Sequence, residues 1–314
     1  MESGARPATP LPETLAIAFF SACLSCGNAE AREPGIAPLF PPGQTAGLPI
    51  AVPLPPGVHV GSRTAFYDAA LIDNEGRSAG QRLIIASEAL QMIWVPGWRL
   101  LGADYRMSFL QPFATVTQDR TYPLPPAARG SSSQLGAANL KFHFLELSWA
   151  LGGGFYGAWG LSVYFPTGQW SSTAPVNIGA NFWTFEPSLA FTYFNHGWNL
   201  SLHALLNVNT VNPSNNYLSG NQVFVNVTAT KNIGGFHIGP VAYYQKQVTG
   251  DANFGGPTVF RGQTFPAPEQ YAVGGSVLYR FERTSLQFMI TQDLFSRNAI
   301  HGTKAWLNVS YKLF

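Results

Sequence analysis

Ser201 and His203 stand one residue apart in Trp198-Asn199-Leu200-Ser201-Leu202-His203. On a strand that spacing puts a hydroxyl and an imidazole on one face, and a base within hydrogen-bond reach is what turns a hydroxyl into a nucleophile. Hydrolysis of a membrane lipid would need both side chains on the lipid side. Here Trp198, Leu200, Leu202, Ala204 and Leu206 oppose Asn199, Ser201, His203 and Asn207. The pair therefore belongs to a polar face, and no catalytic residue is assigned. The six histidines (His59, His143, His196, His203, His237 and His301) fall on separated segments, without the close spacing of metal ligands, so no metal site is expected. The motifs G-x-S-x-G and H-E-x-x-H, a P-loop, and G-x-G-x-x-G before a helix are all missing. No cofactor is expected, and Gly152-Gly153-Gly154 reads as a turn.

The other polar residues of interest sit singly among apolar neighbours: Arg63, Asp104, Arg106, Lys141, Glu186, His203, Asn207, Asn226 and His237. A Lys or Arg facing lipid at mid-membrane costs about 2–4 kcal/mol, so in a membrane-spanning strand such residues point inward. Asp104 and Arg106 share a face, and Glu186 joins them from a later strand. Two uses are open: a neutralised network that stiffens a wall, or a constriction whose charges choose a solute.

The elements that would carry these residues alternate with period two. Leu101, Ala103, Tyr105, Met107 and Phe109 oppose Gly102, Asp104, Arg106 and Ser108, while Phe185, Pro187, Leu189, Phe191 and Tyr193 oppose Glu186, Ser188, Ala190 and Thr192. Strands are expected near 58–68, 82–95, 100–116, 137–149, 154–166, 181–194, 197–209, 222–231, 236–247, 270–281, 285–294 and 304–314. Twelve is an even number, as in bacterial single-chain barrels. The connections alternate long (near 69–81, 117–136, 167–180, 210–221, 248–269 and 295–303) and short. With both termini in the periplasm, every long loop would lie outside the cell and every short turn inside.

Composition agrees. Of 314 residues only 11% are charged while 14% are aromatic; soluble domains carry about 25% charge. No apolar run approaches the ~20 residues of a spanning helix. Aromatics gather near strand ends (Trp94, Trp98, Tyr105, Trp149, Phe155, Trp183, Tyr193, Phe194 and Trp198), where interfacial rings belong. Phe314 ends the chain, with Tyr311 one residue early for the usual terminal assembly signal.

Three parts follow: a signal peptide over 1–31, a proline-rich segment over 32–56, and a barrel over 57–314. The signal rests on Leu15-Ala16-Ile17-Ala18-Phe19-Phe20 and the site Ala29-Glu30-Ala31. Cleavage would remove Cys23 and Cys26, leaving no disulfide framework; lipidation at Cys23 is the rival. The segment 32–56, with Pro41-Pro42 and Pro53-Leu54-Pro55-Pro56, cannot be a central strand. A periplasmic tail is the first expectation for it, and a partial plug inside the lumen the second. The mature net charge of +4, without any basic run, is no nucleic-acid footprint.

Leu101-Gly102-Ala103-Asp104-Tyr105, Tyr164-Phe165-Pro166-Thr167-Gly168, Phe182-Trp183-Thr184-Phe185-Glu186-Pro187, and Gly197-Trp198-Asn199-Leu200-Ser201 with Asn207 and Asn209 together resemble the family described as the putative meta-pathway of phenol degradation. The resemblance covers roughly Pro55 to Phe314. It implies an outer-membrane barrel passing small, often aromatic or hydrophobic compounds, and it carries no catalytic or binding residue over to this chain.

The reading is an all-β, transmembrane, antiparallel up-and-down β-barrel of about twelve strands in the outer membrane of a Gram-negative bacterium. It is not an enzyme, and it acts as a monomeric channel for passive solute passage. Its partners are outer-membrane lipids, a small-molecule solute and the barrel-assembly machinery, which reads the last strand. The alternatives are a barrel enzyme acting on lipids, or a non-conducting structural or adhesion barrel.

Overall fold

The computed structural model describes residues 30, 31, 33 and 35–314, except 122, 123, 125, 127 and 128. The signal-peptide and Cys23 expectations lie outside the described residues.

Twelve barrel strands are present among the described residues. They are β1 Gly57–Ile72, β2 Ser78–Val95, β3 Ala103–Arg120, β4 in two segments (Gly130–Ala137 and Lys141–Gly152), β5 Phe155–Tyr164, β6 Thr184–Asn195, β7 Trp198–Asn209, β8 Gln222–Ile233, β9 Phe236–Gln247, β10 Glu269–Phe281, β11 Thr284–Arg297 and β12 Ala299–Lys312. Each pairs antiparallel with its sequence neighbour, and β12 closes onto β1 from Ala299–Ile72 to Lys312–His59. Closure matters because a bilayer interior offers no water to an unpaired strand edge.

Alternation decides which side chains face out. Along β7, Trp198, Leu200 and Leu202 are exposed while Asn199, Ser201, His203, Leu205, Asn207 and Asn209 are buried. Phe66, Leu90, Phe109, Phe191, Phe288 and Leu307 extend the exposed apolar girdle over other strands. Rings line the rim of short turns: Trp94 lies 5.4 Å from Trp98, Trp98 stacks on Tyr105 at 5.9 Å, and Phe236 stacks on Tyr279 at 4.6 Å. Phe194 departs from the expected girdle. It lies on the inward face beside His237, with ring centroids 5.5 Å apart.

Prolines shape the wall. Pro112 of β3 has no N–H to give, and opposite it β4 is interrupted at 138–140, where the Ala138 N–H donates to the Pro112 carbonyl at 2.9 Å. Asn139 in this break binds Ala180 twice, at 2.7 and 3.0 Å, and so folds the 165–183 loop over the barrel mouth. Gly168 and Gly179 meet backbone to backbone in that loop; a Cβ on either would lie 2.4–2.6 Å from the other's Cα. The ladder between β6 and β7 likewise has no bridge at Pro187, passing from Ser188–Leu205 to Phe185–Val208.

Three long connections are shorter than expected, the β3–β4 loop spanning 121–129 in place of 117–136. The β1–β2 loop is 73–77, where Arg77 and Glu75 backbone N–H groups bind Asp73 at 2.8 and 2.9 Å. These bonds, the Arg77 one foremost, hold the Asp73 carboxyl below the usual carboxylate range. β11 and β12 turn on Asn298 alone, with φ of 50°, because both strands run past the sequence-derived limits.

Candidate functional site

The lumen is occupied by the chain's own leader, the proline-rich segment ahead of β1. Glu33 meets the 210–221 loop, accepting from Asn212 at 3.0 Å and Asn215 at 2.7 Å. Ile36 bridges Asn177 of the 165–183 loop. From this loop end the segment descends past Phe40, Ala46 and Ala51, all buried, and reaches β1 at the turn end, where His59 Nε2 contacts the Pro55 carbonyl oxygen at 2.9 Å. The periplasmic-tail expectation is therefore corrected to a segment that crosses the barrel lengthwise. Every backbone polar group buried there needs a partner, and a proline-rich chain cannot join a ladder. Turns within the segment serve some of them, as where the Ala46 N–H donates to the Gly43 carbonyl at 3.0 Å, and the wall's side chains serve others.

Asn226 accepts from the Gly43 N–H at 3.0 Å, Thr228 from Gly47 at 2.8 Å and Thr192 from Ala51 at 3.2 Å. Arg63 donates to the Gln44 carbonyl at 2.9 Å, Gln287 to Ala46 at 2.9 Å and Lys304 to Pro42 at 3.1 Å. His203 Nδ1 meets Thr45 Oγ1 at 2.8 Å. Each bond adds about 0.5–1.5 kcal/mol net, so the segment is held by many small terms spread over several strands.

Beside the leader lies an ionic cluster. Lys141 pairs with Glu186 at 2.5 Å, and Glu186 also accepts from Tyr164 at 3.0 Å and Asn207 at 2.7 Å. Lys141 stands 5.1 Å from the Tyr164 ring centroid and 5.6 Å from that of Phe40. Arg106 pairs with Glu146 nearby, and His143 stands 3.5 Å from Glu146.

The sequence-derived candidates thus divide. Arg63, His203 and Asn226 touch the leader, while Lys141, Glu186 and Asn207 form one cluster and Arg106 a second. Asp104 and His237 lie apart. Asp104 pairs with Arg99 at 3.6 Å in the β2–β3 turn, and His237 meets Asn232 at 3.3 Å beside the β8–β9 turn. Ser201 bonds Asn199 and Thr192 at 2.7 and 2.9 Å, and His203 is engaged by Thr45, so both face the lumen rather than lipid. Among the described residues no three His, Cys, Asp or Glu side chains gather to hold a metal.

A family profile described as "Putative MetA-pathway of phenol degradation" matches residues 68–309. The chain belongs to this family. Among solved structures it is similar to an outer membrane channel from Pseudomonas putida F1, at 14% identity and TM-score 0.67, covering 87% of this chain and 99% of that one. It also aligns with the CymD monoaromatic hydrocarbon channel, at 10% identity and TM-score 0.44 over 83% and 89% of the two chains. Identities this low speak of fold alone. No curated protein matches the sequence.

This member of the phenol-degradation family carries a further lumenal group that the sequence candidates omitted. Asp293 accepts from Tyr67 and from Tyr243, the latter at 2.5 Å, and from the Gly302 N–H at 2.9 Å. Lys304 sits among the rings of Tyr67, Tyr243 and Trp306, at 4.4, 4.9 and 5.6 Å, with its ammonium on Pro42. Asp293 and Lys304 fell at the extreme ends of the expected strands, where alternation had too few neighbours to assign a face.

Proposed function

We propose that the protein is an outer-membrane channel for passive passage of small aromatic or hydrophobic compounds, closed at rest by residues 35–56. The observation that carries this reading is the leader's manner of attachment. It crosses a charged and amide-rich lumen as an unladdered strand of chain, tied by side-chain hydrogen bonds that can be exchanged for water or solute. The family's name supports an aromatic solute, and ammonium groups set among rings (Lys141 and Lys304) are favourable surroundings for a polarisable ring.

In this reading the polar wall presents alternative partners as the leader withdraws, so no bare amide is stranded. The exposed girdle meets outer-membrane lipid, β12 with Phe314 offers the assembly machinery its recognition strand, and one copy suffices because the lumen is complete within one chain. The second reading is a non-conducting structural barrel, which the filled lumen also favours.

Proteoliposomes decide between them. A variant lacking residues 35–52 should admit phenol faster than protein-free vesicles and faster than the full chain. If that variant folds and admits phenol no faster than empty vesicles, the structural reading stands.

A further inference from the structure

We propose that the pocket filled by the Phe40 ring is a binding site for a single-ring aromatic bearing one hydroxyl, and that Phe40 is its resident stand-in. The proposal rests on reading the lumen as a solute path. Phe40 is 1% exposed and packs on Leu205 and Phe224, with ring centroids of Phe40 and Phe224 5.2 Å apart at 58°. The Lys141 ammonium lies 5.6 Å from the Phe40 ring centroid. One aromatic ring is thus held between an aliphatic side chain, a second ring and a cation, the surroundings that suit a benzene nucleus.

The hydroxyl is argued from the pocket's flanks. Leu205 and Phe224 are directly paired between β7 and β8, and the next lumenal pairs are Asn207–Gln222 on the loop side and His203–Asn226 on the turn side. Asn207, Gln222 and Asn226 are 1%, 0% and 2% exposed. Yet Asn207 Oδ1, both side-chain polar atoms of Gln222 and Asn226 Nδ2 have no hydrogen-bond partner among the described residues. Polar atoms buried without a partner are unfavourable. The hydrocarbon ring of Phe40 supplies them nothing, whereas a ring hydroxyl both donates and accepts. Phe40 also sits on the displaceable segment, next to Pro41-Pro42, so withdrawal of the leader vacates the site.

The test is calorimetric titration of the full chain in detergent with phenol and with benzene. Phe40→Ala should bind phenol at least tenfold more tightly than the parent, since apolar cavities of benzene size take up such rings, and should prefer phenol to benzene. Adding Asn207→Leu and Gln222→Leu should abolish that preference while benzene binding persists. Phe40→Leu, a milder change, should show a smaller gain, and heat-modifiable gel mobility reports that each variant is folded. Folded Phe40 variants with no gain in phenol binding overturn the site. A gain that ignores the two Leu substitutions overturns the hydroxyl assignment. Phenol binding without liposome uptake by the 35–52 deletion would sink the channel and leave the site standing; uptake without binding would do the reverse.

Discussion

Glu186 sits where three donors converge, and its partner Lys141 is nearly as buried. Removing one member of a buried pair costs about 3–5 kcal/mol, whereas replacing both by neutral groups of similar size is often close to neutral. Glu186→Gln alone should therefore lower stability by several kcal/mol in urea unfolding from lipid vesicles, and Lys141→Met added to it should restore most of the loss. Equal stability of parent and single variant would mean that the pair is not closed. Lys304→Met should act differently: it removes the ammonium from Pro42 without stranding a carboxylate that lacks other donors, because Asp293 keeps Tyr67, Tyr243 and Gly302. More frequent channel opening is expected, read as open probability. At this scale alternation placed the polar face of β6 and β7 directly, since lipid will not tolerate charge. It gave less at β4. There the register shifts between His143 and Leu145, so Lys141 and Glu146, of opposite sequence parity, both come to line the lumen. Nothing in the local sequence announces that bulge.

The leader marks the limit of legibility for elements. Its prolines exclude it from the sheet, and that much was readable. Its destination stayed open between tail and plug, because its partners are single side chains on β1, β6, β7, β8, β11 and β12, up to 262 residues away in sequence, with no shared pattern. Gly47 shows how closely it is seated: with φ of 82°, a Cβ there would come 2.1 Å from Gln287 Nε2 and 2.3 Å from Ser276 Oγ. Gly47→Val should unseat the leader and raise phenol uptake toward that of the 35–52 deletion, with barrel content by circular dichroism unchanged. The connections were half legible for a related reason. Loop residues at 69–72 and 299–303 carry too little alternation to reveal that β1 and β12 continue pairing there.

As a whole, the molecule is a cylinder with an apolar exterior and a polar interior that its own N-terminal segment fills. Twelve strands and their order were readable because lipid and water impose opposite demands on successive residues. Leu202, exposed near the middle of β7, tests the exterior: Leu202→Arg should cost about 2–4 kcal/mol in bilayers, while an uncharged exchange to Ile leaves folding unchanged. The interior is tested most directly by single-channel recording in planar bilayers, comparing the full chain with the variant lacking residues 35–52. The account requires brief, infrequent openings of the full chain and a steady, larger conductance after the deletion; equal conductance in the two would contradict it.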